Sequence, residues 1–580
     1  MRTTTTFSAT ALTVLRERYL QRDESGQLAE DADGMLCRVA AAVAAPARGF
    51  GEDPVFWEAR FLERLQRLEF LPNSPTLMNA GLPGGQLAAC FVLPIADDLD
   101  SIFTTLSRMA RIHQTGGGTG FSFSALRPRD DRVRSTGGIT SGPLSFMDLF
   151  DRTTAVIREG GRRRGANMAV LRVDHPDIEA FIAAKRTPGR LENFNLSVGV
   201  TDAFWAAFEA GEAFALRNPR TGKIARTVDP RALFDAIVEA AWTSGDPGLL
   251  FLDEINRHNP TPALGRIEAT NPCGEQPLLP WESCVLGSLN LAAFGGARGV
   301  DWERLGSAID DAVVFLDNVI EATNYPFAEI AAATRRTRKI GLGVMGLADL
   351  LSQIGVPYDA DDALVLGGRI AEFLTTRARA ASLALGERRG SFPGFRDSVW
   401  PGRGLTTLRN ATVTCVAPTG TLSVLAGTSS GIEPFFALAI ARRLLDGQSF
   451  VEINPAVAAA VQSLGAAGES ALIALREHGS LRRLDGLPAA LRRRFPIALE
   501  IAPETHVRMQ AAFQARVDAA VSKTVNLSAD APVAAVREVF RLAHQLRLKG
   551  ITVYRYGSRP GQTLSLIDEA SHRDCRECAV

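Results

Sequence analysis

The chain has no excess charge of either sign: 64 Lys and Arg balance 64 Asp and Glu over 580 residues. That balance gives no sign of a general binder of nucleic acid or of acidic membranes. Long apolar runs are also missing. The longest near the start, residues 39–47, is far too short to span a bilayer, and no apolar signal-peptide region follows Met1. Cysteine is sparse, with Cys37, Cys90, Cys273, Cys284, Cys415, Cys575 and Cys578 widely spread. An odd number at such spacings argues against a structural disulfide framework and favours reactive thiols in a cytoplasmic chain. There is no GxxxxGK[ST] loop, and no GxGxxG between a strand and a helix, so the usual mononucleotide and dinucleotide cradles are not indicated.

Hydrophobic residues make up 46% of the chain, ample for one or more large cores. From Ala9 to about Phe70 the apolar positions recur at helical spacing, among them Leu12, Leu15 and Leu20, then Phe61, Leu62 and Leu65. The Pro72-Asn73-Ser74-Pro75 break ends this helical cap. A short buried strand opening on Cys90 follows, and then a helix whose acidic start includes Asp97. The loop TGGGTGF, with Gly118 inside it, permits close backbone approach by a ligand. Arg127, Arg129, Arg132 and Arg134 follow it, and Arg163 sits in a second basic glycine loop suited to phosphates. Either loop could equally be an ordinary solvated one. Residues 410–417 read as a β-branched strand, running into Pro418, Thr419, Gly420, Thr421, Leu422 and Ser423. A strand, a hydroxyl-rich turn and a helix start make a plausible phosphate site, although a plain helix cap has the same pattern. Residues 436–545 read as largely helical, and 549–560 as a last strand. The single Cys575-x-x-Cys578 pair cannot complete a four-ligand zinc site, and no metal site is expected.

The chain is organised around Asn271-Pro272-Cys273-Gly274-Glu275. Pro272 favours an extended Asn271, and in extended backbone residues two apart share a side. Gly274 lets the backbone turn closely around whatever the thiol meets. An amide, a thiol and a carboxylate at alternate positions suit sulfur chemistry with a proton acceptor beside it. A buried Cys in a Pro/Gly turn would show the same five residues.

In order, LPNSPTLMNAG, the Cys90 strand, GGGTGFSFSALRP, RRRGANMAVLRVDHPDIEAF, NPCGE, ESCVLGSLN, GLGVMGLADLL, APTGTLS, SSGIEPFF and KGITVYRYGSR resemble the catalytic subunit of ribonucleotide reductase. The likeness runs from about Leu12 to Ser558 and is nearest the class II, adenosylcobalamin-dependent branch. It implies an α/β fold: one ten-stranded α/β barrel over residues 71–560 with a finger loop inside. An N-terminal helical region over 1–70 and a flexible C-terminal tail over 561–580 complete the chain.

By motif position Cys273 resembles the thiyl-radical residue, Glu275 the base on the ribose 3′ hydroxyl, and Asn271 its companion. Cys90 and Cys284 resemble the pair that ends as a disulfide. Ser74, Ala89, Gly118, Pro272, Gly274 and the 418–423 turn match substrate-contacting positions. Asp97, Arg127 and Arg134 match the allosteric specificity site, and Arg163 the loop that relays it. Cys575 and Cys578 resemble the electron shuttle from thioredoxin or glutaredoxin. The implied partners are a ribonucleotide substrate, taken as a diphosphate, deoxynucleotide and ATP effectors, and a second copy of the chain. The class I enzymes pass a radical through two adjacent tyrosines, whereas here Arg555 separates Tyr554 from Tyr556. A class I-type large subunit without that pair, and an inactive nucleotide-binding regulator, are the alternatives.

Overall fold

The computed structural model describes residues 5–132, 137–158, 165–296, 298–443, 449–462, 464–482 and 484–559. Ten strands build the central sheet: β1 (Phe70–Pro72), β2 (Cys90–Val92), β3 (Gly118–Ser122), β4 (Asn167–Arg172), β5 (Phe194–Val200), β6 (Gly248–Phe251), β7 (Ser283–Asn290), β8 (Ile340–Met345), β9 (Thr524–Leu527) and β10 (Gly550–Arg555). Their order is β1-β7-β2-β3-β4-β5-β6-β10-β9, with β8 also on β7. Strands β2 to β6 are parallel neighbours, and so are β7–β8 and β9–β10. The β2–β6 group meets the other two antiparallel, at β7–β2 and at β10–β6. Both β7 and β8 are buried at every position, as expected of strands covered on both faces.

Residues 412–416 close the ring. The Leu342 amide donates to Val413 O at 2.8 Å, and the Ser522 amide to Val416 O at 2.9 Å, which ties β8 to the approach of β9. This stretch, read from sequence as a full strand over 410–417, pairs through single bridges at Thr414 and Val416. Side chains take the remaining ladder positions: Asp518 Oδ2 accepts from the Val413 amide at 2.8 Å, and Thr414 Oγ1 from the Asp518 amide at 3.1 Å.

Helices cover the barrel: α1 (Ala32–Ala44), α2 (Pro54–Gln66), α3 (Leu99–Gln114), α4 (Pro143–Arg158), α5 (Trp302–Ala322), α6 (Asp361–Arg389) and α7 (Gly420–Ala426). Helix α5 is buried along most of its length, and its Asp317 is wholly enclosed. Arg338, Arg389 and Arg409 surround that carboxylate at 2.8, 3.0 and 3.1 Å. Arg389 also pairs with Glu52, from the turn between α1 and α2, so the network ties the N-terminal helices to the barrel wall. The stretch 436–545 departs from its helical expectation. It contains an antiparallel hairpin, Ala439–Arg443 with Ser449–Ile453, as well as β9. Ala, Arg and Leu favour helix by propensity, but strand pairing overrides so weak a preference.

A second, two-stranded hairpin pairs Ala269–Thr270 with Pro277–Leu278 and projects into the barrel. Glycines on the wall make room for it. A β-carbon at Gly120 would lie 1.7 Å from Thr270 O, one at Gly118 would lie 2.8 Å from Pro272 Cγ, and one at Gly341 would lie 2.4 Å from Gln276 Nε2.

Candidate active site

The tip of the inner hairpin is residues 271–276. The Asn271 amide donates to Gln276 O at 3.2 Å, the Gly274 amide to Asn271 O at 3.1 Å, and the Gln276 amide to Asn271 Oδ1 at 2.9 Å. Gly274 has φ +84°, which a side chain would disfavour. The tip is therefore a closed turn, not the extended segment expected from sequence. Asn271 and Glu275 reach the same neighbour because the turn folds one back toward the other. The barrel wall holds the tip from two sides: Asn195 Nδ2 on β5 donates to Pro272 O at 2.8 Å, and the Ala520 amide donates to Glu275 O at 2.9 Å.

Register places the thiols. Cys90 on β2 stands directly opposite Cys284 on β7, and on its other side opposite Gly118 on β3. Directly opposed residues on antiparallel strands have β-carbons about 4.5–5.5 Å apart, and a disulfide needs about 3.5–4.5 Å. A small local approach is enough to join Cys90 to Cys284. Both are thiols in this structure, as are Cys37, Cys273 and Cys415. Asn271 Nδ2 donates to Cys90 Sγ at 3.1 Å, and Cys90 Sγ lies 4.0 Å from Glu275 Oε1. Cys284 Sγ lies 3.5 Å from the carbonyls of Val285 and Lys339. Asn271, Glu275, Cys90 and Cys284 are all buried, whereas Cys273 is exposed.

Burial pushes the Cys90 thiol well up, and the nearby Glu275 and Cys284 push it further. Burial likewise raises Cys284. At neutral pH the pair therefore consists of protonated thiols, each with a proton to give as well as an electron. Cys415, assigned to the core from sequence, is buried beside the same cluster, with its thiol also raised by burial.

The other sequence-predicted residues fall around this centre. Ala89 O accepts from the Gly118 amide at 2.9 Å, beside Cys90. Ser74 shares a hydrogen bond with Tyr19 Oη at 2.8 Å at the start of a short helix that follows β1. Pro418 to Ser423 form the turn into α7. Thr419 has φ +51°, and its Oγ1 accepts from the Gly431 amide at 2.7 Å. Ser423 Oγ bonds Ser430 Oγ at 2.9 Å. Asp97 and Arg127 are joined, with Nε to Oδ2 at 2.7 Å and the Arg127 amide to Oδ1 at 3.0 Å. Arg134, Arg163, Cys575 and Cys578 lie outside the described residues. Among the described residues no cluster of three or more His, Cys, Asp and Glu is placed to hold a metal, and no helix is long and apolar enough to cross a membrane.

Sequence reasoning missed several supports. Lys339 and Glu282 form a buried pair at 2.6 Å, and Glu282 also accepts from Thr337 and the Leu279 amide. They anchor the start of β7, next to Cys284. A lysine beside an apolar strand and a polar Asn195 inside one were the available signals.

Two family models match the chain: the ribonucleotide reductase all-alpha domain over residues 5–85, and the ribonucleotide reductase barrel domain over 88–407 and 403–554. The chain belongs to the ribonucleotide reductase family. Among curated relatives, a Mycobacterium tuberculosis protein is 53% identical over 560 residues, covering 96% of this chain and 80% of its own. A Thermoplasma acidophilum protein is 49% identical over 508 residues, covering 87% of this chain and 66% of its own. Both are described as vitamin B12-dependent ribonucleoside-diphosphate reductases. A solved structure, the Actinobacillus ureae class Id ribonucleotide reductase alpha subunit, superposes with a TM-score of 0.78 at 23% identity, over 95% of this reductase chain and 97% of the other. At that identity the likeness is one of fold.

Proposed function

We propose that this chain reduces ribonucleotides, ribonucleoside diphosphates in particular, at the 2′ carbon, with adenosylcobalamin as its radical source. The observation that carries the reading is the register of Cys90 against Cys284, with Asn271 and Glu275 folded onto Cys90. The residues present suit the cofactor. Cys273 is exposed at the hairpin tip, and the position beside it opens to empty space, with nothing within 4 Å of a β-carbon built on Gly274. Bound there, beside Cys273, adenosylcobalamin would supply the radical that activates this thiol. A radical path through adjacent tyrosines has no support: Arg555 sits between Tyr554 and Tyr556, 4.0 Å over the Trp242 ring, and is held by the carbonyls of Trp242 and Ala529.

In this mechanism the Cys273 thiol loses its hydrogen atom and, as a thiyl radical, takes the 3′ hydrogen of the ribose. Glu275 removes the 3′ hydroxyl proton, and Asn271 holds the same oxygen. The 2′ hydroxyl leaves as water with a proton from the Cys90–Cys284 pair. The pair supplies two electrons, places its second hydrogen on the 2′ carbon and ends as a disulfide; Glu275 returns its proton to the 3′ oxygen, and Cys273 returns the hydrogen to the 3′ carbon. Raised thiol pKa values fit this role, since a thiolate pair would have no proton to give. Ser74, Ala89, Gly118 and the 418–423 turn hold the substrate, the turn taking its phosphates.

Asp97 and Arg127, with Arg134, form the specificity site for a deoxynucleotide effector, Arg163 relays it, and the enzyme works as a homodimer. Cys575 and Cys578 in the 561–580 tail re-reduce the internal disulfide from thioredoxin or glutaredoxin. Residues 1–70 form the helical cap and 71–560 the catalytic unit.

The test is anaerobic turnover of a ribonucleoside diphosphate with adenosylcobalamin and a small dithiol, with no second subunit. Deoxynucleotide formation is the expected result, and it vanishes in Cys273→Ser even in a single turnover. Activity that appears only when a metal-bearing subunit is added would overturn the reading.

A further inference from the structure

At the mouth of the barrel where β10 begins lies a cavity of about 390 Å³ that the proposed chemistry does not use. Its lining is rich in cations that lack carboxylate partners. Arg403 rests 5.0 Å over the Trp400 ring, and among the described residues neither it nor Arg547 makes an ion pair. Lys549 is 4% exposed, and its Nζ donates to two backbone carbonyls, Asp518 O at 2.6 Å and Ala519 O at 2.7 Å. Two carboxylates also face the cavity, but each is already engaged. Asp518 binds Arg379 and the Val413 amide, and Glu254 binds Arg257 and His258. Gln514 is 7% exposed, and its buried Oε1 accepts no hydrogen bond, while its Nε2 is held by Ala519 O at 3.1 Å.

The Lys549 ammonium is bonded to carbonyls, with the Asp518 and Glu254 carboxylates acting on it from further away, and Gln514 Oε1 has no donor among the described residues. One ligand would serve both. Its phosphate would pair with Lys549, Arg403 and Arg547, and its hydroxyl would donate to Gln514 Oε1 once that buried amide turns toward the cavity. From this arrangement we propose that the cavity is a binding site for a small phosphate ester bearing hydroxyl groups, such as a sugar phosphate.

The site is wired to the active-site hairpin. Lys549 grips the carbonyls of Asp518 and Ala519, and the next amide in the chain, that of Ala520, donates to Glu275 O at 2.9 Å. A phosphate that draws the ammonium toward itself loosens this grip, and the backbone of Glu275 feels it. Burial holds Lys549 down to about 8, so an arriving anion also drives proton uptake near that pH.

The test uses ribose 5-phosphate as the probe, with the full-length protein holding saturating ribonucleotide and effector, so that those phosphate sites are filled. Tryptophan fluorescence reports on Trp400, and its contribution is identified with Trp400→Phe. The expected result is a saturable change that Trp400→Phe abolishes. Arg403→Ala with Arg547→Ala weakens it about tenfold or more, whereas Arg369→Ala, which removes a cation over a different tryptophan, Trp302, leaves it intact. Calorimetry at pH 8 in two buffers of different ionisation enthalpy shows proton uptake that Lys549→Met removes. Each variant is first checked for an unchanged melting temperature, and the two arginines, exposed on the cavity rim, are the pair that decides if Lys549→Met unfolds. No saturable signal from the wild-type protein, or an equal signal in the arginine double variant, overturns the proposal. Because the readout is binding and not turnover, its failure leaves the proposed reductase activity standing.

Discussion

The five described cysteines differ in what surrounds them, and that difference can be measured. Cys273 is exposed, whereas Cys90, Cys284 and Cys415 are buried with thiols held protonated by burial. Alkylation requires the thiolate and access to it. Iodoacetamide at pH 8 is therefore expected to label Cys273 well before those three, since a raised pKa removes thiolate and burial removes access. Peptide mass spectrometry over time checks this. Labelling of Cys90 or Cys284 as fast as Cys273 would mean that the pair is open to solvent. From sequence the alternate spacing of Asn271, Cys273 and Glu275 suggested one shared face. Their real separation, two buried and one exposed, comes from the turn at Gly274, which the Pro-Cys-Gly step permits but does not dictate.

At the scale of elements, the hairpin and the strands around it fit through glycine. Gly120→Ala places a methyl group against Thr270 O, where 1.7 Å is available, and backbone on both sides cannot give way. The expected outcome is loss of turnover by at least about a hundredfold, since a displacement near 1 Å at a reacting group costs that much. Gly296→Ala, with open space around it, is the control that keeps activity. The joint of α3 with β3 carries a pH dependence. His113, at the end of α3, bonds Thr119 on β3 at 2.9 Å, and burial lowers its pKa to about 4. The unfolded chain takes up this proton below about 6.5, and the native ring does so only near 4. Its stabilising contribution is therefore complete above pH 6.5 and is lost as the pH falls toward 4, by up to about 3 kcal/mol. Urea midpoints of the wild type and His113→Gln across that window are expected to converge as the pH falls. Parallel curves would assign the acid sensitivity to other groups.

For the whole molecule, charge networks cross between the cap and the barrel, and the two are expected to unfold together. Asp317 keeps its negative charge despite complete burial, because Arg338, Arg409 and Arg389 together outweigh the cost of desolvation. Asp317→Asn leaves those arginines facing a neutral amide. The expected loss is about 3–5 kcal/mol, the usual cost of removing one partner of a buried ionic group. It should appear in thermal unfolding as a single transition at lower temperature. A variant that melts the helical cap first and leaves the barrel intact would show that the two are not joined through this carboxylate.

Much of this protein was legible in the chain itself. Motif order identified the family, and apolar periodicity placed the N-terminal helices. The Cys90 strand could be read locally, from its run of apolar residues, whereas the ESCVLGSLN strand was recognised only as a motif. What local sequence could not give was their mutual register. That Cys90 faces Cys284, with Gly118 on the other side, follows from hydrogen bonding between segments 194 residues apart in one case and 28 in the other. The hairpin 439–443 with 449–453 was missed for the same reason, since its Ala and Arg residues favour helix until a partner strand supplies the pairing. Residue types thus fixed which chemistry was available, a set of thiols with one carboxylate and one amide. Tertiary structure decided which thiols meet and which stays exposed, because burial and register are properties of surfaces brought together and not of neighbours along the chain.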